Sequence, residues 1–435
     1  MKNRTAARAS RRLRHCCPRS PLTRVGATTP YYIFPPGASN AATPATPRDV
    51  DADFITRALR EAELLPDDVD VAAISIEPLS LQGFISDVAR CRVTYSSRDA
   101  GGATPMPGEG TGSLGTLPPS LIVKTCASND ESYAAGRECD AYKTEAVFFK
   151  NLARVVSVGS PECLLVSSDG PGERHCYVME DLDLRPDIYY VPQSLGAGEK
   201  ECRAVAKGLA ELHAPRWRWE RPLPAWLPAM TEHPLRNPAR VFSEWWESFS
   251  SSTYFTELPE PSRLAHERCQ RRAEQLAAAL SSGPRTLLHC DARSDNLFFG
   301  DRTAPGGVVF LDWQLICQGI GVFDLAWFMC TSAVHGTPGE ERDRPIVEAY
   351  WEALTSHPSG RVPKARYTLE AAWRDYQLGA ATTMAVFSCA PKFLSDAMRS
   401  EKPKEYEQLA EMIGRSAAVV AAIGADTVPY ERLVH

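Results

Sequence analysis

One stretch of the 435-residue chain concentrates groups able to do chemistry: His289, Cys290, Asp291, Arg293, Asp295 and Asn296, set between Leu287-Leu288 and Leu297-Phe298-Phe299. A loop between two buried strands that carries so many hydrogen-bonding groups is costly to desolvate unless it has a task. Twelve residues after Asn296, the apolar run Val308-Val309-Phe310-Leu311 leads directly into Asp312. Each signal alone is weak, because an aspartate at a strand end is most often a helix cap or a turn residue. Together they form His-x-Asp-x-x-x-x-Asn followed at short range by hydrophobic-hydrophobic-Asp, which is specific. Phosphoryl transfer needs such a set: a carboxylate to orient the attacking hydroxyl and take its proton, and oxygen ligands to hold Mg²⁺ against nucleotide phosphates. Asp291 fits the first role. Asn296, five residues on, can turn back beside it, and Asp312 supplies a charged oxygen from the adjacent strand. Arg293 is placed to neutralise charge on the moving phosphoryl group. His289 reads as structural, its ring holding the loop by hydrogen bonds.

A site of this kind also needs a cation for the phosphates. Lys124 ends the apolar strand Leu121-Ile122-Val123, where an ammonium is awkward without an anion. Glu145 interrupts the apolar stripe Tyr142, Phe149, Leu152 of the helix that follows. Paired, the two would satisfy each other; the alternative for Lys124 is an exposed edge-strand lysine.

These residues require positioning elements. A short helix is expected over Phe54 to Leu64. The period of two in Ala89, Cys91, Val93 and Tyr95, after Ile74 and Ile76, indicates strands. Ser96 to Ser120 holds six glycines and four prolines, without a lysine or a strand-to-helix context, and reads as a disordered hairpin-loop insertion. A strand at Leu121–Lys124, a helix from about Cys139 to Arg154 and a strand at His175–Met179 follow. All nine tryptophans then fall between Trp217 and Trp373, with most of the expected helices. The expected class is therefore α+β and two-lobed: a sheet-rich N-terminal lobe over 51–183 and a larger helical lobe over 184–435.

The formal charge of -6 hides a split. Residues 1–48 hold Lys2, eight arginines and no acid, leaving 39 basic against 54 acidic residues beyond them, a charge of -15. An acidic body argues against a nucleic-acid partner. No apolar run reaches membrane-spanning length, which argues against a membrane partner. Thirteen cysteines without Cys-x-x-Cys or metal-ligand spacing read as buried hydrophobes in a reducing compartment. Residues 1–50, basic and hydroxyl-bearing without a secretory apolar core, read as a transit leader, a disordered tail or an upstream start. The expected location is cytoplasmic or organellar, not secreted.

The block from His289 to Asn296, then Asp312-Trp313-Gln314, then Gly321-Val322-Phe323-Asp324-Leu325-Ala326-Trp327, resembles the aminoglycoside and choline phosphotransferases, within them the ecdysteroid-kinase-like (CHK kinase-like) branch. Tyr142 to Leu152 is similar to that branch's Glu-bearing helix, Val178 to Leu182 to its nucleotide hinge, and Leu209 to Ala214 to the helix before its catalytic segment. The resemblance spans roughly 54–390. It implies a protein-kinase-like fold using ATP and Mg²⁺, with Asp291 as base, Asn296 and Asp312 as metal ligands, and Lys124 with Glu145 as phosphate anchor. Glu180, Asp181 and Leu182 would form the adenine hinge through backbone groups, and Gly83 would be the one glycine of an economical phosphate loop. Asp324 would cap a helix and brace the catalytic loop, with His213 a packing residue. One departure is Cys290, where the family usually has glycine; the long insertion before Lys124 is another.

Protein kinases share the base, the Asn and the Lys-Glu pair, but only twelve residues separate Asp312 from Asp324, which leaves no activation loop. A catalytically inactive kinase-like binding protein is the other alternative, although Asp291, Asn296, Asp312 and Lys124 are all present. The partners implied are a nucleotide and a small-molecule hydroxyl acceptor. Trp226, Trp245, Trp246, Trp313 and Trp373 suggest an aromatic-walled pocket for a partly apolar alcohol, or simply core. The face Trp373, Tyr376, Gln377, Ala380, Met384, Phe387 is either pocket wall or bundle packing.

Overall fold

The computed structural model describes residues 42–79, 85–97, 106–107, 117–169, 174–218 and 226–430. Gly83, the leader up to residue 41 and most of the expected insertion lie outside the described residues. The chain divides into two compact units, the first running to Tyr133 and including Glu162–Pro186, the second comprising Ala134–Pro161 and everything from Asp187 on.

The first unit is an antiparallel sheet with one covering helix. Helix α1 (Ala52–Glu61) is capped by Asp51, whose carboxylate accepts from Phe54 N at 2.7 Å. Strands β1 (Val69–Pro78), β2 (Ser86–Ser97), β3 (Met106–Pro107), β4 (Ser120–Cys126), β5 (Cys163–Ser168) and β6 (His175–Glu180) follow. The main sheet has the order β1-β2-β4-β6-β5, and β3 pairs with Thr94 and Tyr95 of β2. The period of two sets the register. Ala89 faces Val123, Cys91 faces Leu121, and Val123 faces Val178. One side of the sheet thereby presents Cys91, Val93, Tyr95, Leu121, Val123 and Val178 to Ile55, Ala58 and Leu59 of α1, all buried. Burying a side chain such as Leu59 contributes about 1.5–3 kcal/mol.

Two expectations need correcting here. The segment set aside as 1–50 is part of this unit at its end: Thr43 N donates to Asp169 at 2.9 Å, and Val50 joins the core. The insertion is shorter than 96–120, since Ser96 and Ser97 extend β2, Met106–Pro107 is paired, and Ser120 opens β4.

The second unit is mostly helical. Where a single helix was expected from Cys139 to Arg154, helix α2 (Asp130–Glu138) spans the division, Asp140 adopts a left-handed conformation (φ 52°), and α3 (Ala141–Val147) runs into a wider turn over Phe148–Leu152. This segment groups with the second unit, against the expected division at 183. The physical reason is packing: Phe148 stacks on Trp313 at 3.9 Å and 7°, and Gly159 O accepts from Phe310 N at 2.9 Å. Helices α4 (Glu199–His213), α5 (Pro238–Ser251), α6 (Glu260–Arg271), α7 (Ala273–Ser282), α8 (Val322–Thr331), α9 (Glu340–Thr355), α10 (Leu369–Val386) and α11 (Pro403–Ala422) make up most of the rest, with single helical turns at Thr253–Thr256 and Ala390–Phe393 and short strands β7 (Tyr189–Tyr190), β8 (Thr286–Leu288), β9 (Leu297–Phe299), β10 (Val308–Phe310) and β11 (Cys317–Gly319) among them. Every residue of α8 is buried, in keeping with a sequence that is apolar apart from Asp324 and Thr331. Helices α8, α10 and α11 pack together. Of the cysteines, the eleven among the described residues are free thiols, nine of them buried. No helix among the described residues is long and apolar enough to cross a membrane.

Candidate functional site

The chemistry-bearing loop joins β8 to β9, and Asp312 follows β10, so two antiparallel pairs carry the residues: β9 with β10 and β8 with β11. Asp291, Arg293, Asn296 and Asp312 all belong to the second unit and come together there. Asn296 Nδ2 donates to both the Asp291 carbonyl (2.9 Å) and its carboxylate Oδ2 (3.0 Å). Trp327 Nε1 donates to the other oxygen, Oδ1, at 3.1 Å. The base candidate is thus held by one group at each oxygen. Burial raises the Asp291 pKa, opposed by Arg293 and Arg236, while the neighbouring Asp312 adds to the rise. A carboxyl shifted upward accepts a proton more readily near neutral pH.

Arg293 reaches Asp291 Oδ2 only at 3.5 Å, and its Nη1 donates to Asp295 Oδ2 at 2.7 Å. Burial disfavours its charge, but Asp291, Asp295 and Asp312 outweigh that and raise its pKa. Asp295 is in turn a hub, accepting from Tyr190 Oη, Gln193 N (2.9 Å) and Gln408 Nε2 (2.8 Å). Against its burial these donors and Arg293 lower its pKa.

Three buried residues hold the loop. His289 Nδ1 accepts from Asp291 N at 3.2 Å, and its Nε2 lies 2.8 Å from the Leu311 carbonyl. An amide can only donate and a carbonyl can only accept, so the ring is neutral with its proton on Nε2. Burial lowers its pKa accordingly. The ring therefore ties the loop to the strand that delivers Asp312. Asp324, on the first turn of fully buried α8, accepts from His289 N (2.7 Å) and Cys290 N (2.9 Å). His213 Nε2 stands 3.2 Å from Asp324, and His213 Nδ1 is 2.9 Å from Tyr350 Oη. Gly321 must be glycine in this brace: a Cβ there would lie 2.6 Å from Tyr350 Oη and 3.1 Å from His213 Nδ1.

Cys290 occupies its position with φ 65°, a left-handed conformation that side-chain-bearing residues adopt at a cost. Its sulfur, fully buried, sits 2.9 Å from the Cys317 sulfur on β11. The departure from glycine is thus accommodated by contact with a second small thiol. Asp312 is also left-handed (φ 61°), a state aspartate tolerates better than most residues, and Gln314 Nε2 donates to its Oδ2 at 3.0 Å.

Asn296 and Asp312 offer side-chain oxygens of the kind Mg²⁺ takes. The two Asp291 oxygens accept only from donors, so the Asn296 amide nitrogen faces Asp291 and its oxygen is the end turned away. One neutral and one charged oxygen suit Mg²⁺, which takes one or two carboxylates and completes its shell with phosphate and water. Among the described residues no group of three His, Cys, Asp or Glu would hold a metal on its own.

The remaining candidates lie apart in the chain. Glu145 is buried on α3, which packs on the turn Trp313–Leu315 after Asp312. Lys124 is buried in β4 of the first unit, between Val88 and Tyr177 on the neighbouring strands. Glu180 ends β6, and Asp181 caps the turn Leu182–Leu184. The Asp181 carboxylate is committed within the unit, accepting from Arg90 Nε (2.7 Å) and Ser120 Oγ (2.6 Å). Gly83 lies outside the described residues. Trp313 is core: it is fully buried against Phe148, with Nε1 donating to the Phe310 carbonyl at 3.1 Å. Trp373, Tyr376, Ala380, Met384 and Phe387 are all buried, and Phe387 stacks on Trp327 at 5.5 Å.

Sequence reasoning missed the Trp327 bond to Asp291, the Asp295 hub and Arg236, which donates to the Cys290 carbonyl at 2.9 Å. Asp295 had a signal, since it lies in the polar block. Arg236 had none, standing 54 residues away in an unremarked loop.

The model of the ecdysteroid kinase-like family matches residues 80–359, and the chain belongs to that family. No curated protein matches the chain in sequence. Among solved structures it is similar to the choline kinase LicA from Streptococcus pneumoniae (13% identity, TM-score 0.42, 85% of this chain and 98% of that one). It is also similar to a choline kinase from Cryptosporidium parvum (10%, TM-score 0.44, 85% and 93%). A third is a microcompartment-associated aminopropanol kinase (14%, TM-score 0.37, 85% and 95%).

Proposed function

We propose that the protein is an ATP-dependent kinase that phosphorylates a hydroxyl of a small, partly apolar molecule. The observation that carries the reading is the Asp291–Asn296–Trp327 arrangement, a carboxylate held at both oxygens beside a second carboxylate, Asp312. In the reaction, Asp291 orients the acceptor hydroxyl and takes its proton as the oxygen bonds to the γ-phosphorus; the bond to the bridging oxygen breaks and ADP leaves. Asn296 and Asp312 would hold Mg²⁺, which supplies positive charge to the nucleotide phosphates. Arg293, already shared between Asp291 and Asp295, stiffens the loop and adds a cation near the transferred group. Lys124 with Glu145 would anchor the phosphates, Gly83 would close over them, and the backbone of Glu180 to Leu182 would receive the adenine. His289, His213 and Asp324 set the loop's geometry without touching substrate.

The test is phosphate transfer from labelled ATP by wild type and Asp291→Asn. The reading expects Mg²⁺-dependent transfer that Asp291→Asn abolishes; transfer unaffected by that change contradicts it.

A further inference from the structure

Arg236 is 4% exposed, yet among the described residues no carboxylate lies within ion-pair distance of it. Its Nη2 donates to the Cys290 carbonyl at 2.9 Å, its Nη1 reaches the Leu235 carbonyl only at 3.5 Å, and its Nε has no partner. Its hydrogen bonds reach only carbonyls, so its charge is met by Asp291 at longer range and not by an ion pair, and a further anion beside it would be favourable. Its position is what gives this meaning. The guanidinium lies 4.3 Å from the centroid of the Trp327 ring, which also meets Phe323 at 6.0 Å, Phe387, stacked at 5.5 Å, and Asp291 Oδ1, reached by Nε1 at 3.1 Å. An internal cation therefore already occupies the aromatic ring beside the base. Such a ring is what would otherwise receive a quaternary ammonium. Lys392 is paired with Glu138 at 2.9 Å and Arg293 with Asp295 at 2.7 Å, so of these three cations only Arg236 lacks an ion pair among the described residues.

We infer that Arg236 is a specificity-determining residue that selects an acceptor alcohol with an anionic group beyond its hydroxyl and rejects cationic alcohols. The inference rests on the reading of Asp291 as the residue that meets the acceptor hydroxyl. The guanidinium supplies its charge to the acceptor's anionic end, while its carbonyl bond keeps it fixed on the residue before the base. A unit charge near a partly buried guanidinium changes affinity by about tenfold or more in either direction, according to sign.

The test uses three hydroxyethyl compounds whose tetrahedral heads differ in charge: 2-hydroxyethanesulfonate (anionic), 3,3-dimethylbutan-1-ol (neutral) and choline (cationic). Binding of each to the full chain is measured by calorimetry with Mg²⁺ and a non-hydrolysable ATP analogue, so the result does not depend on turnover. Wild type is expected to bind them in the order sulfonate, neutral, choline, with about tenfold between steps. Arg236→Lys keeps the order, Arg236→Gln flattens it and Arg236→Glu reverses it. The inference is overturned if wild type prefers choline, if the order survives in Arg236→Glu, or if the three are indistinguishable, bound or not. Loss of turnover with the order intact would count against the kinase reading instead.

Discussion

Asp324 is the residue on which the loop's shape depends most, and Asp324→Asn isolates its contribution. The carboxylate is fully buried and accepts from two successive amides, His289 N at 2.7 Å and Cys290 N at 2.9 Å. Asparagine keeps the volume but presents an NH₂ to one of those amides, so one bond is lost and a donor faces a donor. Hydrogen bonds to a charged group contribute about 1.5–3 kcal/mol each, and an unmet buried donor adds to the loss, giving about 2–4 kcal/mol. That energy concentrates on one loop, so hydrogen exchange of the segment Thr286–Ala292 reads it more directly than global unfolding of a two-unit chain. Protection of the His289 and Cys290 amides is expected to fall by about 30-fold to about 1000-fold. Phosphate transfer should fall with it, because Cys290 holds a left-handed conformation only while its amide is anchored. Unchanged protection at these two amides in Asp324→Asn would refute the reasoning, whatever happened to activity.

Other consequences follow from particular residues. His266 is fully buried against Phe249 and Phe255, neither ring nitrogen has a partner, and burial pushes its pKa down to about 3 from the ordinary 6.5. Because the folded value is depressed, the unfolded chain binds the extra proton. His266 thus costs stability as pH falls below about 6.5, by about 1.4 kcal/mol per unit. His266→Phe should therefore gain about 2 kcal/mol more over wild type at pH 5 than at pH 8 in urea titrations, and equal gains would contradict it. Asp181→Ala removes the partner of buried Ser120 and one of the two carboxylates that Arg90 holds, Asp183 remaining, and should cost the first unit about 2 kcal/mol, read as a lower melting temperature with the ATP KM unchanged; a raised KM at constant stability would assign the side chain to the nucleotide. Lys124→Met and Glu145→Gln should each raise the ATP KM, and the double variant should be no worse than the poorer single. Additive effects would show that the two act separately.

The chemistry was legible because it is local. Asp291, Asn296 and Asp312 sit on two tight antiparallel pairs, so spacing in the chain translates into proximity in space. The same holds for the brace, since Gly321 stands just before α8 and Asp324 on its first turn. What escaped was long-range or conformational. Trp327 meets Asp291 across 36 residues and Arg236 meets Cys290 across 54, and neither pairing leaves a periodic trace. Helix α2 is polar and short, with no apolar stripe, so no periodicity announced it ahead of the helix expected from Cys139. The break at Asp140 depends on one left-handed residue, and the wide turn at Phe148–Leu152 on stacking against Trp313, a packing event no local pattern announces. Trp313 itself was drawn toward a pocket by its place after Asp312, whereas the strand exit directs its ring into the core.

The central claim is that Asp291 is the base of a small-molecule phosphotransfer. The most direct measurement is a screen of metabolite extracts with γ-labelled ATP, comparing wild type with Asp291→Asn at matched folding. The account predicts a labelled acceptor, Mg²⁺-dependent, formed by wild type and lost by about 10²-fold or more in the variant. Equal labelling by both proteins, or no labelled acceptor from any extract, would contradict it.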